Sequence, residues 1–337
     1  MTDHPHLIDD IFAVGPYGEA ALITAAAAGW YSTHGTPEHL ARSGDIHPYL
    51  DYLACQHTHH ADNPWRQPDA VTHPPDGTPT RHDPDGPHSW TADDHPCDQA
   101  LTGELTARLT EDGLDLDPYQ PDLVGVLATA DTDLHTALPH LWPQTRPFVL
   151  RARLVADHAL TGMSWPDLTG LVLLGRATTH DRRLAAEALL HEALHAKAAR
   201  TSRAFTVPFS PTTPEFIEIP WWRGPHQQRL WDTRRVFDAH YIYSHLTAYH
   251  ACRHALGHTD TVPLHRAAFR AAYLLNILRQ LDQPWLDPQR RTLTEWLAAR
   301  TPSPAGLTAI GERFLQCKLS SFPYAETALD ATGLSAR

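Results

Sequence analysis

The sequence has little cysteine, no block of basic residues and no long apolar run, and each shortage removes a class of protein. Its four cysteines (Cys55, Cys97, Cys252 and Cys317) are far apart in 337 residues and form no paired motif. That argues against a disulfide framework and suits a reducing compartment. The formal net charge is −12, with the acidic residues spread along the chain, so nucleic acid is not the expected partner. The most apolar early stretch, Ala20 to Trp30, is too short and too rich in alanine to span a bilayer. The opening Met-Thr-Asp-His-Pro-His does not read as a signal peptide, so a soluble, cytoplasmic protein without a membrane partner is expected. No repeat is visible.

What remains is long enough to bury a sizeable core. Residues 1–56 read as an N-terminal helical segment, and residues 57–98 as a polar loop or linker dominated by Pro, His and Asp. Residues 99–337 read as a metal-binding catalytic domain. Within it, helical spacing covers 99–114 and 122–141, and Phe148 to Ala156 fits either a short strand or a helix start. Asp167 to Gly175 reads as a buried strand. Helices are expected over 181–200, 228–256, 265–281, 288–300 and 304–319. The fold class expected is mainly α with a small β component, a single large helical metalloenzyme domain.

The most informative residues are His191-Glu192-Ala193-Leu194-His195, inside the helix that Asp181 is placed to cap. Two histidines four apart project from one helix face and can grip one metal ion, and the Glu after the first can serve as base or as an orienting partner. A strand leading into such a helix is a common metalloenzyme arrangement. Two imidazoles leave a metal incomplete, because zinc hydrolases and non-haem iron oxygenases both need a third protein ligand and an open position. The sequence after His195 carries no Gly and third His, which excludes the metzincin extension. Glu215 and Glu218 are the nearest carboxylates, bracketed by Pro214 and Pro220. Asp238 and His240 lie on a long downstream helix with large apolar residues on most sides, and His245 and His250 follow on the same stretch. At this level the third ligand stays open among them. A second cluster, Cys55, His57, His59 and His60, lies in the proline-rich polar part and reads as ordinary loop.

The ordered set of a strand, Leu-Leu-His191-Glu-Ala-Leu-His195, a proline-rich stretch, Pro-Trp221-Trp222-Arg223 and Phe-Asp-Ala-His240-Tyr-Ile-Tyr resembles the HExxH-motif peptide-modification family. The likeness covers about residues 165–260. Members belong to bacterial clusters that make ribosomally synthesised, post-translationally modified peptides, and are understood as iron(II)- and 2-oxoglutarate-dependent β-hydroxylases. This chain departs from their pattern around the arginines, with Ile-Pro-Trp-Trp-Arg and Arg234-Arg235. The resemblance implies Fe(II) held by His191, His195 and His240. It implies a 2-oxoglutarate carboxylate met by Arg223, with Arg234 and Arg235 next, beside Trp222. It also implies O2 as co-substrate, and as substrate a peptide, in particular a ribosomal precursor peptide. Glu192 then orients a ligand or water. The alternative expectation is a Zn2+-dependent metallopeptidase in which Glu192 deprotonates the metal-bound water.

Overall fold

The computed structural model describes residues 87–91, 97–117, 120–165, 167–204, 216–221, 230–280 and 288–301. The helices expected within 1–56, the Cys55–His60 cluster and the helix expected over 304–319 lie outside the described residues. The described residues fall into two compact units, 87–204 and 216–301. The division falls inside the stretch read as one catalytic domain, just after the motif helix. The chain is mainly α with a small β component. No described helix is long and apolar enough to cross a membrane.

In the first unit, helices α1 (Pro87–Thr91), α2 (Asp98–Glu111) and α3 (Gln120–Ala137) precede strands β1 (Arg151–Val155), β2 (Gly162–Met163) and β3 (Leu171–Gly175), and α4 (Arg182–Ala204) follows. The sheet order is β1-β3-β2, with β1 parallel and β2 antiparallel to the central β3. Strand β3 is buried throughout, as its continuous Leu-Val-Leu-Leu run demands. One sheet face takes Leu101, Leu105 and Leu109 of α2 against Val155, Leu171 and Leu173. Those leucines recur every four residues, so they form a single stripe along α2. Helix α4 packs on β2 and β3, and α3 packs on β1 and α4. The stretch read as uncertain after Phe148 is β1, preceded by a 3-10 turn at Arg146–Phe148. Strand β2, two residues long, gives no periodicity a sequence reading can detect.

One further difference has a plain cause. Part of the stretch read as polar loop is helix α1, because Trp90 is 2% exposed, with the Arg146 guanidinium 5.3 Å from its ring centroid. Gly175 ends β3 under the chain that leads into β2: a Cβ there would lie 1.8 Å from the Leu160 carbonyl oxygen, a contact glycine avoids.

In the second unit a β4 (Ile217–Glu218) and β5 (Leu230–Trp231) pair leads into α5 (Thr233–Ala255), α6 (Val262–Gln280) and α7 (Pro288–Arg300). Asp232 caps α5 by accepting the Arg235 amide at 2.8 Å. The helix ends in a Schellman turn: Gly257 has φ +93°, its amide meets the His254 carbonyl, and the His258 amide meets that of Arg253. The six-residue connection then sends α6 back along α5. Trp221 is ringed edge-on by Trp231, Tyr243, Phe269 and Tyr273, at centroid distances of 6.5, 6.3, 6.1 and 5.2 Å.

The first unit carries an ion pair at its centre. Arg151 donates from Nε to Asp98 at 2.8 Å, with side chains 4% and 3% exposed. Removing one partner strands the other charge in a low dielectric. Asp98→Ala is therefore expected to cost roughly 3–5 kcal/mol in urea unfolding of the full chain. Replacing both residues by apolar ones of similar volume is expected to recover most of that loss.

Candidate metal centre

Helix α4 fixes the geometry of the centre from its first turn. The Asp181 carboxylate accepts the amides of Arg183 at 2.9 Å and Leu184 at 3.2 Å, as the sequence reading placed it. Ten residues on, His191 and His195 share one face of the helix and are both half-buried. Their rings are tilted by 56° and their Nε2 atoms lie 3.2 Å apart. An imidazole nitrogen sits about 2.0–2.1 Å from zinc, so two nitrogens at this spacing subtend about 100° at a shared ion. That angle lies between the octahedral and tetrahedral values, so the spacing of the pair is compatible with a shared first-row metal ion.

Glu192 points to β2. Its Oε2 accepts the Ser164 hydroxyl at 2.6 Å, and a Cβ at Gly162 would come within 2.8 Å of Oε1. The absence of a side chain at Gly162 lets the Glu192 carboxyl lie close against the strand. Burial pushes the Glu192 carboxyl up to about 7, against the opposing pull of the Ser164 hydrogen bond. Two residues past the pair, the fully buried Lys197 is pulled down to about 7 by burial. Neither Ser164 nor Lys197 carried a signal in the sequence. Ser164 lies 28 residues before its partner, just after a strand too short to recognise.

The other expected residues lie in the second unit. His240 is 1% exposed on α5. Its Nδ1 lies 3.0 Å from the Ala271 carbonyl, whereas Nε2 is buried with no hydrogen-bond partner. Burial drives its imidazole down to about 4, outweighing the nearby carbonyls of Ala271 and Thr294. The ring is therefore neutral at ordinary pH, with the proton on Nδ1 and a lone pair on Nε2. Asp238 is half-buried, 3.9 Å from Arg234 Nε. Arg235 stacks its guanidinium 4.6 Å from the centroid of Trp231, and burial lowers its pKa. His245 donates from Nδ1 to the Tyr241 carbonyl at 2.7 Å, as core histidines do, and His250 is buried nearby on the same helix. Glu218 is on β4. Glu215, Trp222 and Arg223 lie outside the described residues. Among the described residues no three His, Cys, Asp or Glu side chains gather closely enough to hold a metal ion. The pair on α4 thus brings together two of the three expected ligands.

No family model matches the chain, and no curated protein is significantly similar to it. The family resemblance therefore rests on its own residues: the motif at 191–195, Trp222-Arg223 and His240.

The buried pair of titratable groups on α4 gives the metal-free protein a recognisable pH dependence. Glu192 holds its proton more tightly folded (about 7) than its ordinary value of 4.5, so its contribution to stability falls as pH rises from 4.5 to 7. Lys197 holds its proton less tightly folded (about 7) than its ordinary value of 10.5, so its contribution rises from pH 7 to 10.5. Lys197→Met is expected to raise the melting temperature at pH 6–7 and to flatten the rise above pH 7. Glu192→Gln is expected to flatten the fall below pH 7. Thermal melts from pH 5 to 10 read both.

Proposed function

We propose that this chain is an iron(II)- and 2-oxoglutarate-dependent oxygenase that hydroxylates an unactivated β-carbon of an amino-acid side chain in a peptide. The reading is carried by the two Nε2 atoms 3.2 Å apart on a half-exposed helix face, a ready-made pair of ligands. The choice of metal and co-substrate comes from the family resemblance. When bound, iron(II) with 2-oxoglutarate and O2 supplies conversion of C–H to C–OH, the co-substrate leaving as succinate and CO2.

The chain's own residues have defined tasks. His191 and His195 bind through Nε2. His240 is the proposed third ligand on its chemistry: a ligating imidazole normally gives its other N–H to a carbonyl, as Nδ1 does here to Ala271, and keeps a lone pair on Nε2. Glu192 is engaged by Ser164 through Oε2, which supports a role in holding the α4 face against β2. A guanidinium matches the planar carboxylate of the co-substrate by paired N–H donors, and Arg223, then Arg234 and Arg235, are proposed for it.

One observation favours a second reading. A buried carboxyl that titrates near 7 beside a pair of metal ligands is tuned as a general base, which is what a zinc peptidase requires of Glu192. The two readings part on an anaerobic titration. Adding Fe(II) and then 2-oxoglutarate to metal-free protein is expected to give a weak visible charge-transfer band that needs both additions. His191→Ala is expected to abolish it, with loss of stoichiometric iron binding by equilibrium dialysis. Retention of one Zn2+ with no such band would carry the reading to the peptidase, and cleavage of peptides lost in Glu192→Gln would then establish it.

A further inference from the structure

The ring cluster about Trp221 is bordered by two guanidinium groups, one from each helix of the α5–α6 hairpin. Arg270 of α6 lies with its guanidinium carbon 5.4 Å from the Trp221 ring centroid and 5.2 Å from that of Tyr243. Its Nη1 donates to the Tyr243 hydroxyl at 3.0 Å. Arg235 of α5 lies 4.6 Å from the centroid of Trp231, and the Trp231 ring stands 6.5 Å from that of Trp221. Arg235 is also within electrostatic reach of Tyr243. Trp221 itself holds the second observation: its indole Nε1 is buried without a hydrogen-bond partner. An indole N–H can only donate, and burying one without an acceptor costs about 1–3 kcal/mol.

These side chains share one chemistry, the donation of hydrogen bonds. A guanidinium stacked by its face keeps its N–H edge for a planar acceptor, and the ring beneath it holds the plane still. A phenol that accepts from Arg270 still has its own proton to give. Two like charges bordering one phenol repel each other, and an anion beside them relieves that repulsion. The carboxylate of Asp232, which lies near Arg235, accepts the Arg235 amide as the cap of α5. Arg235 is exposed and Arg270 and Trp221 are half-buried, so solvent reaches the cluster, whereas Tyr243 and Trp231 are buried behind it. The rings exclude water from one side and strengthen any ion pairing there. A phosphate would bring nearly two charges against them, at a greater desolvation cost than the single charge of a carboxylate.

We propose that Arg270, Tyr243, Trp221 and Arg235 form a binding site for the carboxylate group of a small ligand. The carboxylate pairs with the guanidinium edges and accepts the Trp221 indole N–H. The oxygenase reading bears only on which carboxylate this is; the binding itself does not depend on it.

The test uses the metal-free full chain. Isotope-labelled protein gives one indole N–H signal per tryptophan, ten in all, and Trp221→Phe identifies that of Trp221. The probes are glutarate, a dicarboxylate without the keto oxygen that chelates metal, and N-acetylalanine, which carries the carboxylate of a peptide C-terminus. A saturable shift of the Trp221 signal is expected, and the probe that binds more tightly names the source of the carboxylate. The uncharged glutaramide is expected to leave the signal in place. Arg270→Gln is expected to weaken binding about tenfold or more, and the milder Tyr243→Phe severalfold with the melting temperature kept. A Trp221 signal unmoved by both acids, an equal response to glutaramide, or binding unchanged in both variants would overturn the proposal. The iron and 2-oxoglutarate titration is read separately. A carboxylate response without the charge-transfer band sinks the oxygenase reading alone, and the band without any response at Trp221 sinks this site alone.

Discussion

The first unit is organised by one close approach, the crossing of β2 over α4 at Gly162 and Glu192. A methyl at Gly162 would stand 2.8 Å from the Glu192 oxygen, so a larger residue there would displace the Glu192 carboxyl. The Ser164 hydroxyl then ties the two elements at 2.6 Å. Because Glu192 lies between the two histidines in sequence, fixing its direction fixes the rotation of α4 about its axis. That rotation sets which way His191 and His195 face. The sheet beneath α4 is held by the leucine stripe of α2, and Arg108 of α2 grips Asp167 through two hydrogen bonds of 3.0 and 2.8 Å just past β2.

The same helix carries unusual electrostatic strain. Glu192 and Lys197 are both buried, and burial moves both towards neutrality from opposite directions. Stability is given up around the pair of histidines, and such shifts concentrate where chemistry is done. Asp98 and Arg151, by contrast, stay together as a buried, hydrogen-bonded pair in the interior of the same unit. Their contribution is to specify which end of α2 meets β1.

The second unit has a different economy. The α5–α6 hairpin is closed by a Schellman turn at Gly257 and packed around Trp221, whose four edge-on ring neighbours come from β5, α5 and α6. Arg270 lies over both Trp221 and Tyr243 and donates to the Tyr243 hydroxyl at 3.0 Å. This packing anchors the start of the Trp221-Trp222-Arg223 segment, one of the pieces that carry the family resemblance. It also leaves His240 enclosed, with one ring nitrogen spent on a carbonyl and the other bare.

Local rules were enough for much of this. The four-residue leucine spacing of α2, the run of branched residues in β3, the Asp181 cap and the i, i+4 histidines of α4 all follow from local patterns within one element; each stands where the sequence put it, except that β3 begins at Leu171 rather than Asp167. Tertiary structure alone decided the rest. Strand β2 is too short to have a period, and it exists because β3 offers it an edge. Helix α1 forms because Trp90 finds a buried place, against the polar composition around it. The pairing of Ser164 with Glu192, the close approach of Glu192 to Gly162 and the burial that shifts Glu192 and Lys197 are contacts between residues distant in the chain or consequences of enclosure. Sequence fixes what a residue can do chemically, but the dielectric around it and the partner opposite it are set only when separate elements meet.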